Sequence, residues 1–275
     1  MLLDAIETGS FSSEDVAPQP KDHIRVVSWN VARGSRLAEI IEFLRSSKAD
    51  LICLQETDCN ARRTGRRNIA AEIANALRMN YAFGIEFQEL SQGSSGSPAY
   101  HGQTTLSPFP LTDCRILRFR NQSRFWHPYW WVPKLPKLQR REGGRMALLT
   151  HVRIGAIALA AYNLHLESRS DSMRRAQLSE LLQDARQYDG NTPTVLAGDF
   201  NYNLNGAAGL AVTDMRFHNP FEHEHQRTTP SNHIGRKGAI DWILIKGQLC
   251  SVAARVHSSV SASDHYPLSL TLRLS

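Results

Sequence analysis

What most restricts the fold is a repeating pattern. From His23 onward, short apolar runs of strand length alternate with polar turns or with helical stripes. The runs occupy 24–29, 51–55, 82–87, 115–119, 147–154, 156–164, 195–198, 240–245, 252–257 and 268–274, and their length predicts buried β-strands. Helical periodicity is confined to three stretches: Leu37, Ile40, Ile41 and Leu44; Ile69, Ile73, Ala76 and Leu77; and Leu178, Leu181, Leu182 and Ala185. Each stripe covers one face only, so each helix is expected to lie on a sheet. Gly155 separates two consecutive runs and predicts a tight hairpin, hence antiparallel pairing. Ten strands with a few one-faced helices predict an α/β (α+β) fold, a four-layer sandwich of two mostly antiparallel sheets with helices outside.

Composition sets the remaining bounds. The 275 residues are 41% hydrophobic and 21% charged, which excludes disordered and collagen-like chains. Residues 1–22 mix acidic, Ser and Pro residues without periodicity and are expected to form a loose tail. Residues 23–275 are expected to form a single domain, with an irregular loop region at about 89–144. Cys53, Cys59, Cys114 and Cys250 show no paired spacing, and Cys53 lies in an apolar run as a core residue would. The first 22 residues have neither a basic segment nor an apolar one, and no window reaches the ~18 apolar residues of a membrane span. A reducing, cytoplasmic setting is the expectation.

Reactive side chains collect at the ends of the apolar runs. The segments are Ser28-Trp-Asn30, Leu54-Gln-Glu56, Asn163-Leu-His165, Gly198-Asp-Phe-Asn201 and Ser263-Asp-His265, with Asp241 opening the run Ile240-Asp-Trp-Ile. Singly, each has an ordinary explanation: Asp199 as a turn former, Asn30 as a helix cap, His165 as a core histidine, Asp241 as an ion-pair partner. Their joint placement at strand ends points to one site. The oxygen donors Glu56, Asp199 and Asp264, with the amides of Asn30 and Asn201, suit Mg²⁺ or Mn²⁺, and no Cys joins a His in zinc spacing. Mg²⁺ takes one or two carboxylates and keeps waters that a phosphate can displace, so the set suits phosphate ester chemistry.

In this order the segments VVSWNV, ADLICLQE, NLHLES, VLAGDFN, AIDWIL and SASDHYPL resemble the motifs of the endonuclease/exonuclease/phosphatase superfamily, which has the deoxyribonuclease I-like fold. The similarity runs from about Val26 to Leu274. It implies that Glu56 is the principal metal ligand, with Asn30 nearby and Asp264 completing or sharing the metal shell. It further implies that His265 contacts the scissile phosphate while Asp241 holds its imidazole, that Asp199 aligns the attacking water or shuttles a proton, that Asn201 bonds a phosphoryl oxygen, and that His165 binds the phosphate from the other side. The strand reading His165-Leu-Glu-Ser168 departs from exonuclease III-like abasic endonucleases. It looks more like deoxyribonuclease I, the sphingomyelinases, the deadenylases and the second class of tyrosyl-DNA phosphodiesterases.

The expected activity is metal-dependent hydrolysis of phosphate esters by direct water attack, with nucleic acid, DNA first, as partner. With 32 Lys and Arg against 26 Asp and Glu, the chain carries a formal charge of +6. Arg62, Arg63, Arg66 and Arg67 follow the glutamate strand, where they are placed to track a phosphate backbone, although a solvated loop explains them nearly as well. Trp126, Tyr129, Trp130 and Trp131 alternate with basic residues and are suited to stack on unpaired bases or to pack their own loop. Arg145 and Ser168 are further candidate substrate contacts; for Arg145 an ion pair within the protein is an equal reading. The alternative is a phospholipid (sphingomyelinase-like) or inositol-phosphate esterase, since tryptophans beside lysines also suit a membrane lipid surface. The Phe221-Glu-His-Glu-His225 segment is read as a solvated loop.

Overall fold

The computed structural model describes residues 3–12, 21–123, 140–188, 192–204, 206–221, 227–230 and 238–274. These residues build a mixed α/β arrangement of two stacked, mostly antiparallel sheets. The larger sheet runs in the order β1 (Ile6–Ser10), β4 (Asn80–Glu89), β5 (Tyr100–Ser107), β3 (Leu51–Cys59), β2 (His23–Arg33), β13 (Leu268–Leu274) and β12 (Leu249–Val256), and β7 (Arg141–Gly143) also pairs with β4. The smaller runs β11 (Asp241–Lys246), β10 (Thr194–Asp199), β9 (Ile157–His165), β8 (Met146–Ile154) and β6 (Leu111–Arg118). Among the described residues, only β2 with β3 and β9 with β10 pair in parallel.

Two-residue periodicity explains why the central runs are apolar throughout. In β2 and β3, Val26, Leu51 and Cys53 face the second sheet and pack with Leu149, Tyr162 and Leu196, while Val27, Ile52 and Leu54 face the other way. That outer face is covered by α1 (Leu37–Ser47) and α2 (Ile69–Leu77), whose stripes bury Leu37, Ile40, Leu44, Ile69 and Ile73. On the far side, α3 (Asp171–Asp184) and α4 (Ala207–Asp214) bury Leu178, Leu181, Leu182, Ala208 and Val212 against the smaller sheet. The four-layer expectation holds. The hairpin at Gly155 holds too: Ile154 pairs with Ile157, and Gly155 takes φ 60°.

Three features differ from expectation. The loose tail is corrected at Ile6–Ser10, which forms an edge strand antiparallel to β4. Its sequence has no apolar alternation; it is held by the backbone ladder and by Glu7, whose Oε1 accepts from Tyr81 Oη at 2.6 Å and Asn68 Nδ2 at 2.7 Å. The irregular region is corrected at β5 and β7, which lie within it, while β6 there overlaps the strand expected at 115–119. A fourth helix, α4, had no apolar stripe to mark it. Residues 124–139, including Trp130, and the 222–226 part of the histidine-rich loop lie outside the described residues.

Candidate active site at the shared sheet edge

Parallel pairing brings strand ends together. Asn30 and Gln55 are partners across β2 and β3, and Asp199 is the partner both of His165 on β9 and of Asp241 on β11. The motif residues of both sheets therefore collect at one edge.

Asp199 is the hub. Buried to 1% exposure, its Oδ2 accepts from Asn30 Nδ2 at 3.2 Å and lies 3.4 Å from His165 Nε2 and 3.7 Å from His265 Nε2. Its Oδ1 accepts from the Asn201 backbone N–H at 2.8 Å. His265 Nδ1 lies 2.9 Å from each Asp241 oxygen, which fixes the ring with Nε2 toward Asp199. Burial opposes a charge on His265, but the Asp241 and Asp199 carboxylates outweigh it and raise the imidazole to about 10. Asp199, Asp241 and His265 bring ligand-type atoms within 4.8 Å of one another. The three form one buried cluster of ionisable side chains, with His265 Nδ1 on Asp241 and Nε2 turned toward Asp199.

Glu56 sits where β3 breaks register with β5, between Leu54 and Thr57, and has φ 57°, a left-handed conformation unfavourable for Glu. Burial acts to raise its carboxyl, yet the charges of His101, His165, Arg33 and Arg145 hold it well below the usual carboxylate range. Neither Glu56 nor the exposed Asp264 belongs to the tight Asp199 trio. The loop before His265 is nonetheless tied to the same edge, because Ser263 Oγ donates to the Asn30 carbonyl at 2.6 Å. Asn30 Oδ1 accepts from Ala32 N at 3.1 Å. Asn201 Nδ2 donates to the Leu166 carbonyl at 2.9 Å.

The arginines divide. Arg145, 4% exposed, donates to Glu86 Oε1 at 2.6 Å, and it also lines a cavity beside Glu56, together with Ser168. The ion-pair reading of Arg145 is the one seen here. Arg63 pairs with Asp58 at 2.7 Å and Glu89 at 2.8 Å, and Arg67 with Glu72 at 2.5 Å, so these two brace the protein itself. Arg62 and Arg66 are exposed and do not line the cavity.

The motif reading missed Glu86. It is fully buried on β4, and its Oε2 lies 3.5 Å from His165 Nδ1. Burial acts to raise its carboxyl, but Arg145 and His165 lower it to about 2. A glutamate inside the apolar run Tyr81-Ala-Phe-Gly-Ile-Glu-Phe87 was the available signal, since a carboxylate is buried only when paired. Also missed were the buried Asp58 and His101, joined at 2.7 Å.

Residues 27–265 match the model of the Endonuclease/Exonuclease/phosphatase family. No curated protein matches the chain. Similar solved structures include an endonuclease/exonuclease/phosphatase from Beutenbergia cavernae, with TM-score 0.68 and 17% identity over 93% of this chain and 72% of that one. Truncated TDP2 from Caenorhabditis elegans gives TM-score 0.61 and 17% identity over 91% of this chain and 98% of that one. The human Nocturnin catalytic domain with bound sulfate anion gives TM-score 0.65 and 16% identity over 98% of each. At such identities the likeness is one of fold.

Proposed function

Because the chain belongs to the endonuclease/exonuclease/phosphatase family, whose members are hydrolases acting on phosphate esters, we propose that it is a divalent-metal-dependent phosphodiesterase with DNA as its substrate. The observation that carries this reading is the convergence on Asp199 of one amide and two imidazoles, at 3.2, 3.4 and 3.7 Å. A buried carboxylate between two imidazole rings is a place where water can be held and its proton taken.

The donor set fits a hard cation: Glu56 is ionised and lines a cavity, and the amide of Asn30 lies on the neighbouring strand. Glu56 and Asn30 would hold Mg²⁺ or Mn²⁺, with Asp264 on the adjoining loop. The ion would supply Lewis-acid neutralisation of a phosphoryl oxygen. The chain's own groups do the rest. Asp199 orients the attacking water and accepts its proton. His265, kept cationic by Asp241, faces the equatorial oxygens with positive charge that matters most in the pentacovalent transition state. His165, steadied by Glu86, contacts the phosphate from the other side. Asn201 presents its side-chain amide to a phosphoryl oxygen.

DNA as substrate is supported by the net charge of +6 and by the exposed Arg62 and Arg66 beside the glutamate strand. The sulfate in the Nocturnin structure is consistent with a fold that takes a tetrahedral oxyanion. A reducing, cytoplasmic setting accords with four free cysteines.

The test is a panel: purified protein with Mg²⁺ or Mn²⁺ against duplex, nicked and single-stranded DNA, RNA, sphingomyelin and inositol phosphates. Turnover of DNA that vanishes in Glu56→Ala, with the variant still folded by circular dichroism, is the expected result. Wild-type rates in Glu56→Ala, or no DNA cleavage at all, would overturn it.

A further inference from the structure

Three arginines from distant parts of the sequence meet on the outer face of the large sheet, beside α1. Arg25 on β2, Arg273 on β13 and Arg255 on β12 are all exposed. They share that face because the residues alternating with them, Val26, Leu272 and Ala254, pack into the core between the sheets. Register sets their spacing. Arg25 is level with Thr271 and Arg273 with His23, so these two arginines are diagonal neighbours, about 7–8 Å apart at Cα. Arg255 is level with Ser269, four residues from Arg273 and roughly 14 Å from it along the strands.

Like charges so placed repel, and an opposite charge on a neighbouring strand would relieve them. The cross-strand partners are instead Thr271, Ser269, His23 and Cys250, none of them acidic. Among the described residues none of the three arginines forms an ion pair, whereas Arg67 and Arg175, also exposed, each hold a carboxylate. Arg25 Nη1 donates to the Ser47 carbonyl at 2.6 Å, which orients the guanidinium and leaves its charge in place. Asp50, which accepts from the Arg25 backbone N–H at 2.9 Å, is already matched by Lys21 Nζ at 2.5 Å.

A line of packed rings joins this face to the active site. His257 Nε2 lies 2.8 Å from Ser269 Oγ, and its ring meets Phe43 edge-on at 5.0 Å. Phe43 meets Trp29 in the same way at 5.3 Å, and Trp29 Nε1 donates to the His265 carbonyl at 2.8 Å. Burial and the charges of Arg255 and Arg25 hold the His257 imidazole below its ordinary range, so the fields of both arginines reach this line. Val27, level with Ser269, is three residues from Asn30, roughly 10 Å of strand. The face therefore begins close to the site and leads away from it.

Uncompensated cations in a row beside a phosphodiesterase site suit a long polyanion. Over the roughly 14 Å from Arg255 to Arg273, one strand of DNA presents about four phosphates. We propose that this face is an interaction surface for the backbone of the duplex DNA that flanks the scissile phosphate. The proposal rests on the reading of the chain as a phosphodiesterase acting on DNA and adds where the rest of the duplex lies. Guanidiniums on phosphate oxygens fix position and carry no sequence information, so the grip is independent of sequence. An anionic membrane is the poorer fit. Such a surface needs apolar anchors among its basic residues, and among the described residues the one large apolar side chain exposed on these strands is Val252, at a register shift.

The test compares the wild-type chain with the triple variants Arg25→Ala/Arg255→Ala/Arg273→Ala and Arg25→Lys/Arg255→Lys/Arg273→Lys. A labelled duplex of about 20 base pairs, long enough to run from the site across the face, is titrated by fluorescence anisotropy in EDTA at several salt concentrations. At low salt the alanine variant should bind about 10-fold or more weaker, and its slope of log K against log salt should be shallower by about 2–3. The lysine variant should keep the wild-type slope, which a merely structural role would not predict. Should the alanine variant fail to fold by circular dichroism, Arg255→Glu carries the test alone, with a slope shallower by about 1 or more. Wild-type affinity and slope in the alanine variant would overturn the surface. So would vesicles of phosphatidylserine and phosphatidylcholine that bind the wild type and release the alanine variant while duplex binding is unchanged, which would assign the face to a membrane. Arginine-dependent duplex binding without turnover of any diester would keep the surface and remove the phosphodiesterase reading; DNA turnover with an unaltered slope would do the reverse.

Discussion

Asp241 and His265 show how much one buried carboxylate can set. The imidazole is raised to about 10 from an ordinary 6.5, so its contribution to folding is complete below pH 6.5 and is lost as pH rises through about 10. Asp241→Asn removes the largest cause of that rise and leaves the ring free to adopt the wrong tautomer; kcat should fall by about 10²–10⁴-fold. Histidine NMR should show the His265 titration moving to lower pH, and an unmoved titration would contradict the assignment. Glu86 works with the opposite sign. Held at about 2 against an ordinary 4.5, it adds stability that is complete above pH 4.5 and is lost as pH falls toward 2. Glu86→Gln takes a buried partner from Arg145 and should cost on the order of 3 kcal/mol at pH 7. In thermal melts its deficit should shrink between pH 4.5 and 2. At this scale the motif residues were legible because each ends an apolar run, whereas Glu86, Asp58 and His101 acquire meaning only from cross-strand neighbours that no local window contains.

Strands limit where those side chains can go. Gly198 precedes the hub Asp199, and a Cβ there would meet the Leu164 carbonyl oxygen at 2.0 Å, far inside contact distance, because β10 and β9 approach closely at this point. Gly198→Ala should therefore destabilise the protein by several kcal/mol, on the order of 3, and should displace Asp199 from His165. A melting temperature within one degree of wild type would show that the strands have room to part. Gly102 has the same constraint, since a Cβ on it would lie 1.9 Å from the Gly84 carbonyl oxygen. This close approach belongs to a strand that periodicity could not find. Tyr100-His-Gly-Gln-Thr-Thr-Leu-Ser107 is polar, yet every residue is buried, because β3 and β4 flank it and both faces are covered. Apolar runs mark strands only where burial is met with hydrocarbon; β5 meets it with hydrogen bonds, as in the contact between the Thr57 and Thr104 hydroxyls at 2.8 Å. The edge strand β1 escaped for the complementary reason, since half-exposed residues need no apolar pattern.

Two sheets must meet at a fixed spacing if Glu56 on one and His165 on the other are to serve the same phosphate. Hydrocarbon packing between them is dense but not directional. Direction comes from Gln55 and Asn163, both fully buried: Gln55 Nε2 donates to Asn163 Oδ1 at 2.8 Å across the sheets, and Asn163 Nδ2 donates to the Leu54 and Thr104 carbonyls at 3.0 and 2.9 Å. Gln55 adjoins Glu56, and Asn163 lies two residues before His165, so this clamp sits directly beneath the site. Asn163→Leu keeps the volume and takes from the Gln55 amide its shortest acceptor, leaving the Cys53 carbonyl at 3.0 Å and a long contact to Ser28 Oγ at 3.5 Å, at a cost on the order of 3 kcal/mol, or roughly 6–12 °C in Tm for a chain near this size. Replacing both residues by Leu removes that donor and also Gln55 Oε1, which has no partner among the described residues. The double variant should therefore melt above Asn163→Leu while its kcat stays about 10-fold or more below wild type, since apolar packing restores cohesion without restoring register. Strictly additive melting shifts, or a double variant with wild-type kcat, would mean that the hydrocarbon core alone aligns the two halves of the site.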